Sequence, residues 1–325
     1  MKNFWNGKKV LITGGAGFIG SNLSNNLSKL GCLVTVIDDL SRGLKERLNS
    51  KITFYKFDLK KNNSKIIKIF CKQNIVFHLA SNVGSMNYYL KNEYTVMKEN
   101  ILIDNTVIEN SINCNVSLFF YASSAHVYPV KILKKKSIKE KDAFPADPPI
   151  SYGFAKLIGE KKLLYAMQKK KLFKAYIGRY VGVFGPNQSL DLNNGSLIPA
   201  LMHRIIKYPN KYKILTDGLE KRSYLYIDDA VTCTKLIIEN NIKLKSNTFN
   251  ICSNTSLSVK DIAKKIILIS KKKIMLKVSN KKANIQRQYC SNKLIKKELN
   301  WKIKKSFLDG LRNTYVDIFQ RLRKR

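Results

Sequence analysis

A parallel, doubly wound α/β sheet with a smaller C-terminal α/β lobe is the fold this sequence predicts, on two observations. Short apolar segments recur through the first 121 residues, and the stretches between them are long enough for crossover helices. The segments IVFHLA and VSLFFYA are continuously apolar, as strands are when helices cover both faces of their sheet.

The first strand is Lys9–Thr13, and the turn GGAGFIG follows it. Phe18, Ile19, Leu23, Leu27 and Leu30 then recur at helical spacing. Further strands are expected at Leu33–Ile37, Ile52–Phe57, Ile75–Leu79 and Val116–Tyr121. Residues 131–150, KILKKKSIKEKDAFPADPPI, are basic and then proline-rich, which predicts an irregular excursion at the rim before a helix opening near Ser151. Beyond Arg179 the pattern loosens into Gly, Pro and Asn turns, a helix over Leu197–Lys207, and short strand and helix pieces ending in a terminal helix. The expected division is a cofactor domain over 1–178 and a substrate lobe over 179–325, with some chain crossing between them.

Lys and Arg number 60 against 22 Asp and Glu, a net charge of +38 that attracts phosphate-bearing molecules in general. The lysines are spread through nearly every segment and are not gathered with aromatics on one element, so no specific nucleic-acid partner is expected. Cys32, Cys71, Cys114, Cys233, Cys252 and Cys290 are scattered without the paired spacing of a zinc site or redox dithiol, which reads as a reduced, cytoplasmic protein. MKNFWNGKKVLITGG runs directly into the first strand without an apolar signal segment. No stretch approaches the roughly 18 apolar residues of a membrane span, so no membrane partner is expected.

Gly14, Gly17 and Gly20 fall at the turn and first helical turn after a strand, where missing side chains let a pyrophosphate reach backbone N–H groups. Asp38 ends the second strand, where its carboxylate can accept both ribose hydroxyls of NAD and repel a 2′-phosphate. Arg42 leaves NADP open as the alternative. Asp58 in KFDL fits an adenine-edge acceptor, with a helix cap as the alternative.

Tyr152 and Lys156 in SYGFAK lie one helical turn apart and project from one face. An adjacent ammonium and the charge of a bound nicotinamide favour the phenolate, so Tyr152 is expected to act as a general base near neutral pH. Ser123 and Ser124 in YASSAHVYP are expected just past the fifth strand, with Ser124 hydrogen-bonding the reacting oxygen.

Together TGGAGFIG, Asp38, HLAS, YASSAHVYP, YGFAK and RSYLYIDDA resemble the extended short-chain dehydrogenase/reductase superfamily of nucleotide-sugar enzymes, over nearly the whole chain. SNVGSMNYY, DAFPADPPISYG, TDGLEKRSYLYID and SNKLIKKELNW are most similar to the GDP-mannose 3,5-epimerase group, and NNGSLIPAL to the GDP-fucose synthase group. The resemblance implies a Rossmann-type domain whose NAD site comprises Gly14, Gly17, Phe18, Ile19, Gly20, Asp38, Asp58, Leu59, Ala80, Asn100, Ser123, Tyr152 and Lys156. It implies catalysis by Ser124, Tyr152 and Lys156, with hydride leaving sugar C4 for NAD. Gly84, Ser85 and Met86 would form a loop over the sugar, and Arg222 would grip the diphosphate, with Arg287 a second candidate. The substrate would be a GDP- or UDP-sugar. The helices at Asn92–Ser111 and Ser151–Lys169 would pair across a homodimer.

The subclass turns on a few positions. A 3,5-epimerase needs an additional acid and base, and His126 stands where that group carries cysteine, with an imidazole that can exchange a proton. The second proton carrier aligns on Leu197, which has no ionisable group, and Ala125–His126 replace the Asp-Glu pair of dehydratases. A UDP-glucose 4-epimerase-like reaction needs only the Ser-Tyr-Lys set and retained NAD, and is the leading expectation. A net C4 reductase or dehydrogenase, and a non-catalytic dinucleotide- or RNA-binding relative, are the alternatives.

Overall fold

The computed structural model describes residues 3–133, 135, 137–169, 173–192, 195–207, 210–282 and 289–323. Its first six strands are β1 (Lys9–Thr13), β2 (Leu33–Asp38), β3 (Thr53–Lys56), β4 (Ile75–His78), β5 (Leu118–Ser124) and β6 (Lys174–Tyr180). Shorter strands follow: β7 (Val183–Phe184), β8 (Lys211–Ile214), β9 (Lys221–Ser223), β10 (Leu225–Tyr226), β11 (Thr248–Ile251), β12 (Ser256–Ser258) and β13 (Met275–Val278). The helices are α1 (Phe18–Lys29), α2 (Ser64–Phe70), α3 (Met86–Lys91), α4 (Glu93–Asn113), α5 (Ser151–Lys169), α6 (Leu197–Lys207), α7 (Ile227–Glu239), α8 (Val259–Ser270), α9 (Lys293–Leu299) and α10 (Phe307–Arg323).

Seven parallel strands form the central sheet in the order β11-β6-β5-β4-β1-β2-β3. The chain winds outward from β1 to β3, returns to β4 and winds the other way. The C-terminal ends of β1 and β4 therefore flank the point where the winding reverses, which is where such sheets open a crevice for ligands.

Strand alternation accounts for the two faces. Val10 and Ile12 of β1 pack with Leu23 and Leu27 of α1 and Val231 of α7, whereas Leu11 packs with Phe70 of α2, Val107 of α4 and Leu163 of α5. All three β1 residues are fully buried, and burying such a side chain stabilises by about 1.5–3 kcal/mol. The first cluster continues into the C-terminal half through Met202, Ile262, Trp301 and Leu311, so one core joins the sheet to the later helices.

Strand β6 spans the expected division between residues 178 and 179, and β11 returns from the later half to the sheet edge beside it. The excursion over 131–150 is irregular, yet it is pinned: Ile138 bridges Cys290, and Ile138 and Ala143 are buried against Val127, Tyr128 and Cys252. Two expectations are corrected. Ser123 and Ser124 do not follow β5 but belong to it, because pairing with β6 continues to Ser124↔Tyr180. Cys71 and Cys114 are not free thiols but form a disulfide. They lie 43 residues apart in sequence and come together because α2 and α4 end side by side, with Cα atoms 4.5 Å apart. The cytoplasmic placement read from unpaired cysteines loses that support; Cys32, Cys233, Cys252 and Cys290 are free and buried. No helix among the described residues is long and apolar enough to cross a membrane.

Candidate active site

The cradle for a dinucleotide begins where β1 ends. Gly14 has φ +68°, and a Cβ there would lie 2.6 Å from the Ala80 backbone nitrogen, so the turn passes too close to β4's exit for any side chain. At Gly20 a Cβ would collide with the Gly14 carbonyl oxygen, which seats the first turn of α1 on the loop. Gly17 caps α1 without a side-chain hydrogen bond, and Phe18 and Ile19 begin a first turn with no acidic residue, which suits an anion at the positive end of the helix dipole.

Asp38 is buried at the end of β2 and faces this turn. Its Oδ2 accepts from the Ala16 N–H at 3.0 Å and its Oδ1 from the Leu40 N–H at 2.9 Å. Burial raises its pKa while those N–H groups oppose the rise. Each carboxylate oxygen keeps a second lone pair, so these residues fit the ribose and pyrophosphate of a dinucleotide. Arg42 reaches from the following loop to the Val83 carbonyl.

Three residues of the expected NAD set have other partners. Asp58 Oδ1 accepts from the Lys60 N–H at 3.0 Å, and its carboxylate lies 3.7 Å from the Lys60 ammonium, beside buried Leu59. Asn100 spends its amide on the loop after β4: Oδ1 accepts from Ser81 Oγ (2.6 Å) and Asn82 N–H (2.8 Å), and Nδ2 donates to the Asn82 and Val96 carbonyls. Ser123 donates to Glu160, itself paired with Arg179 at 2.6 Å.

The catalytic candidates converge at the C-terminal edge of the sheet. Tyr152 and Lys156 sit on the first turns of α5, 7% and 1% exposed. The Tyr152 ring stacks on Tyr89 with centroids 4.9 Å apart and planes at 10°, and meets His126 edge-on at 5.9 Å. Ser124 Oγ lies 2.9 Å from His126 Nδ1. His126 is held neutral, its pKa pulled down to about 4 by burial and then by the charge of Arg222. Burial, aided by Tyr89 and Asp104, drives the Tyr152 pKa well up. A hydrogen bond with Ser81 only partly offsets the burial, and the Lys156 ammonium lies 3.7 Å from Asp104; the expected phenolate relies also on the charge of a bound nicotinamide.

Gly84 and Ser85 lead into α3, which Met86 opens; Ser85 caps it by accepting from the Tyr88 N–H at 3.2 Å, and Met86 packs on the cluster containing Tyr89 and Tyr152. Arg222 is exposed on β9, opposite Leu257 of β12. Arg287 lies outside the described residues. Sequence reasoning missed Ser81, Tyr89, His78 and Asp104. Asp104 carried a signal, a carboxylate one turn after Asn100 in the apolar run ILIDNTVI.

The chain is similar to known proteins over nearly its whole length. The chain is 27% identical over 334 residues to a GDP-mannose 3,5-epimerase 1 of Oryza sativa subsp. indica, covering 99% of this chain and 85% of the relative. It is 30% identical over 269 residues to an ADP-L-glycero-D-manno-heptose-6-epimerase of Brachyspira hyodysenteriae, covering 78% and 79%. Among solved structures it is similar to the UDP-glucose 4-epimerase of Thermotoga maritima determined with UDP-glucose: TM-score 0.88, 26% identity, 97% of this chain and 99% of that one. The model of the NAD dependent epimerase/dehydratase family matches residues 10–252, and with that match the glycine turn, Asp38 and the Tyr152–Lys156 pair place this chain in that family.

Proposed function

We propose that the protein is an NAD-dependent nucleotide-sugar epimerase acting at sugar C4. The observation that carries the reading is that His126 links Ser124 to Tyr152, with Lys156 one helical turn on, at the sheet edge that also holds the glycine turn and Asp38. The Gly14–Gly20 turn and Asp38 would hold NAD, which when bound supplies a hydride acceptor for C4 and returns the hydride.

The chain's own groups handle the proton and the orientation. With the charge of a bound nicotinamide favouring its phenolate, Tyr152 would take the proton of the 4-hydroxyl, and in the return step the phenol so formed, which burial favours, would give that proton back to the carbonyl oxygen. Ser124, fixed by His126, hydrogen-bonds the same oxygen. Arg222 binds the diphosphate of a GDP- or UDP-sugar, a task suited to a guanidinium fork. Tyr94, Leu102, Phe154, Ile158 and Tyr165 are exposed on α4 and α5, the two helices we assign to a homodimer interface.

A second reading, epimerisation at C3 and C5, is favoured by His126 lying against the Tyr152 ring. Its imidazole is a weak base when its pKa lies near 4, and Leu197 offers no partner acid, so C4 chemistry remains the conclusion.

The test is to incubate the purified protein with GDP- and UDP-sugars in heavy water, without added cofactor, and follow proton NMR. C4 epimerisation gives a new isomer with no carbon-bound deuterium. Exchange at C3 or C5 would establish the second reading, and no turnover without added NAD(P)H would favour a net reductase.

A further inference from the structure

Beneath the catalytic pair lies a buried polar chain that runs across three strands and two helices. His78, the last residue of β4, has Nδ1 2.7 Å from Thr13 Oγ1 at the foot of the glycine turn, and Nε2 2.9 Å from Asp104 Oδ1 on α4. An ionised carboxylate only accepts, so Nε2 carries the ring proton and Nδ1 accepts from the threonine. The Tyr121 hydroxyl of β5 donates to the other oxygen, Oδ2. Lys156 Nζ lies 3.7 Å from Asp104 Oδ1 and 4.6 Å from the centroid of the Tyr121 ring. His78, Asp104, Tyr121 and Lys156 are all at most 3% exposed.

A carboxylate and an ammonium buried together are each costly without the other. Glu160, one turn further along α5, is taken up by Arg179 of β6, with Nη2 2.6 Å from Oε2. That leaves Asp104 as the carboxylate beside Lys156. The packing is built around it, since a Cβ on Gly159 would come within 2.7 Å of Asp104 Oδ2.

We propose that Asp104 is a positioning residue, the buried counter-ion that keeps the Lys156 ammonium charged and fixed one helical turn from Tyr152. The proposal rests on the reading of Tyr152 and Lys156 as the catalytic pair. A purely structural role, tying α4 to β4 and β5, would need only hydrogen bonds, and a carboxamide can supply those. The electrostatic role needs the negative charge. The groups around Lys156 are Asp104 from α4, His78 from β4, Tyr121 from β5 and Glu160 from α5. Burial keeps His78 neutral, so it cannot replace the missing charge. Burial pulls the Lys156 pKa down and Asp104, with Glu160, pushes it back up. Without Asp104, Lys156 therefore loses its charge at a lower pH.

The experiment reads that charge directly, by 15N NMR of lysine-labelled full-length protein, with the Lys156 ammonium signal identified by its absence in Lys156→Arg. In the wild type the signal is expected at pH 7.5. In Asp104→Asn its titration midpoint should lie about 1–3 pH units below that of the wild type, the range for loss of an adjacent opposite charge. His78→Gln, which leaves the carboxylate in place, should keep the signal. If the carboxamide does not accumulate folded, Asp104→Ser puts the same question. A wild type with no such signal at pH 7.5, or a variant that titrates with the wild type, overturns the proposal. The readout needs no sugar, so it stands or falls apart from the reaction. Where a sugar is turned over, the basic limb of kcat should move down by the same interval while KM stays within about two-fold.

Discussion

The half of the molecule around β1, β2 and α5 and the half that follows β6 solve different problems, and they differ in how locally their solutions are written. In the first half the binding surface is backbone: Gly14 at φ +68° against Ala80, Gly20 against the Gly14 carbonyl, Asp38 receiving two N–H groups. In the second half the proposed grip on the diphosphate is one exposed side chain, Arg222, carried on the short β9–β12 ribbon and felt electrostatically at His126. A backbone cradle tolerates almost no change, whereas a side-chain grip can be weakened by degrees.

The sharpest way to break that contrast is at the cradle. Gly14→Ala places a Cβ 2.6 Å from a backbone nitrogen and forces an L-residue into the left-handed region, a cost of about 1–2 kcal/mol before the collision is counted. The expected result is a fall of at least about 100-fold in NAD affinity by calorimetry, equivalent to about 2.7 kcal/mol, together with a lower Tm. Retained affinity would mean that the turn does not hold the cofactor.

A smaller effect belongs to the lobe. Arg222→Met should raise KM for the nucleotide sugar about 10–100-fold while kcat changes by no more than a few-fold, as removal of a charge-assisted hydrogen bond worth about 1.5–3 kcal/mol requires. Steady-state kinetics would show instead a fall in kcat at constant KM if Arg222 served the chemistry.

The gentlest probe is pH at the boundary between the halves. His126 has its folded pKa depressed to about 4 against an ordinary value of 6.5, so it binds a proton more weakly folded than unfolded. Its contribution is intact above about pH 6.5 and is lost as pH falls toward 4, a decline of about 3 kcal/mol. Urea denaturation at several pH values should show that decline reduced in His126→Gln relative to wild type. Parallel curves for the two proteins would remove His126 from the buried site.

How far each half was legible follows from the same contrast. The turn after β1, the strands up to Phe77, α5 from Ser151, and α6 over Leu197–Lys207 answer to local rules, namely glycine geometry, apolar runs and helical period. What was not legible depends on partners distant in sequence. The extension of β5 through Ser124 comes from pairing with β6, and it turns Ser123 toward Glu160. Asn100 is consumed by Ser81 and Asn82, contacts set by where β4 delivers its loop. The rise in the Tyr152 pKa comes from burial beneath Tyr89 and from Asp104, neither of which adjoins it in sequence. Cys71 and Cys114 meet only because two helices end together.

The central claim is that Tyr152 moves the sugar's proton at a site whose cofactor and substrate grips lie elsewhere. Tyr152→Phe removes one oxygen from a ring that otherwise stays packed between Tyr89 and His126. The decisive measurement is its kcat on the nucleotide sugar that the wild type turns over, alongside NAD affinity and Tm. The account predicts a fall of at least about 100-fold in kcat, as loss of general acid–base catalysis requires, with NAD affinity and Tm close to wild type. A variant that epimerises at the wild-type rate would contradict it.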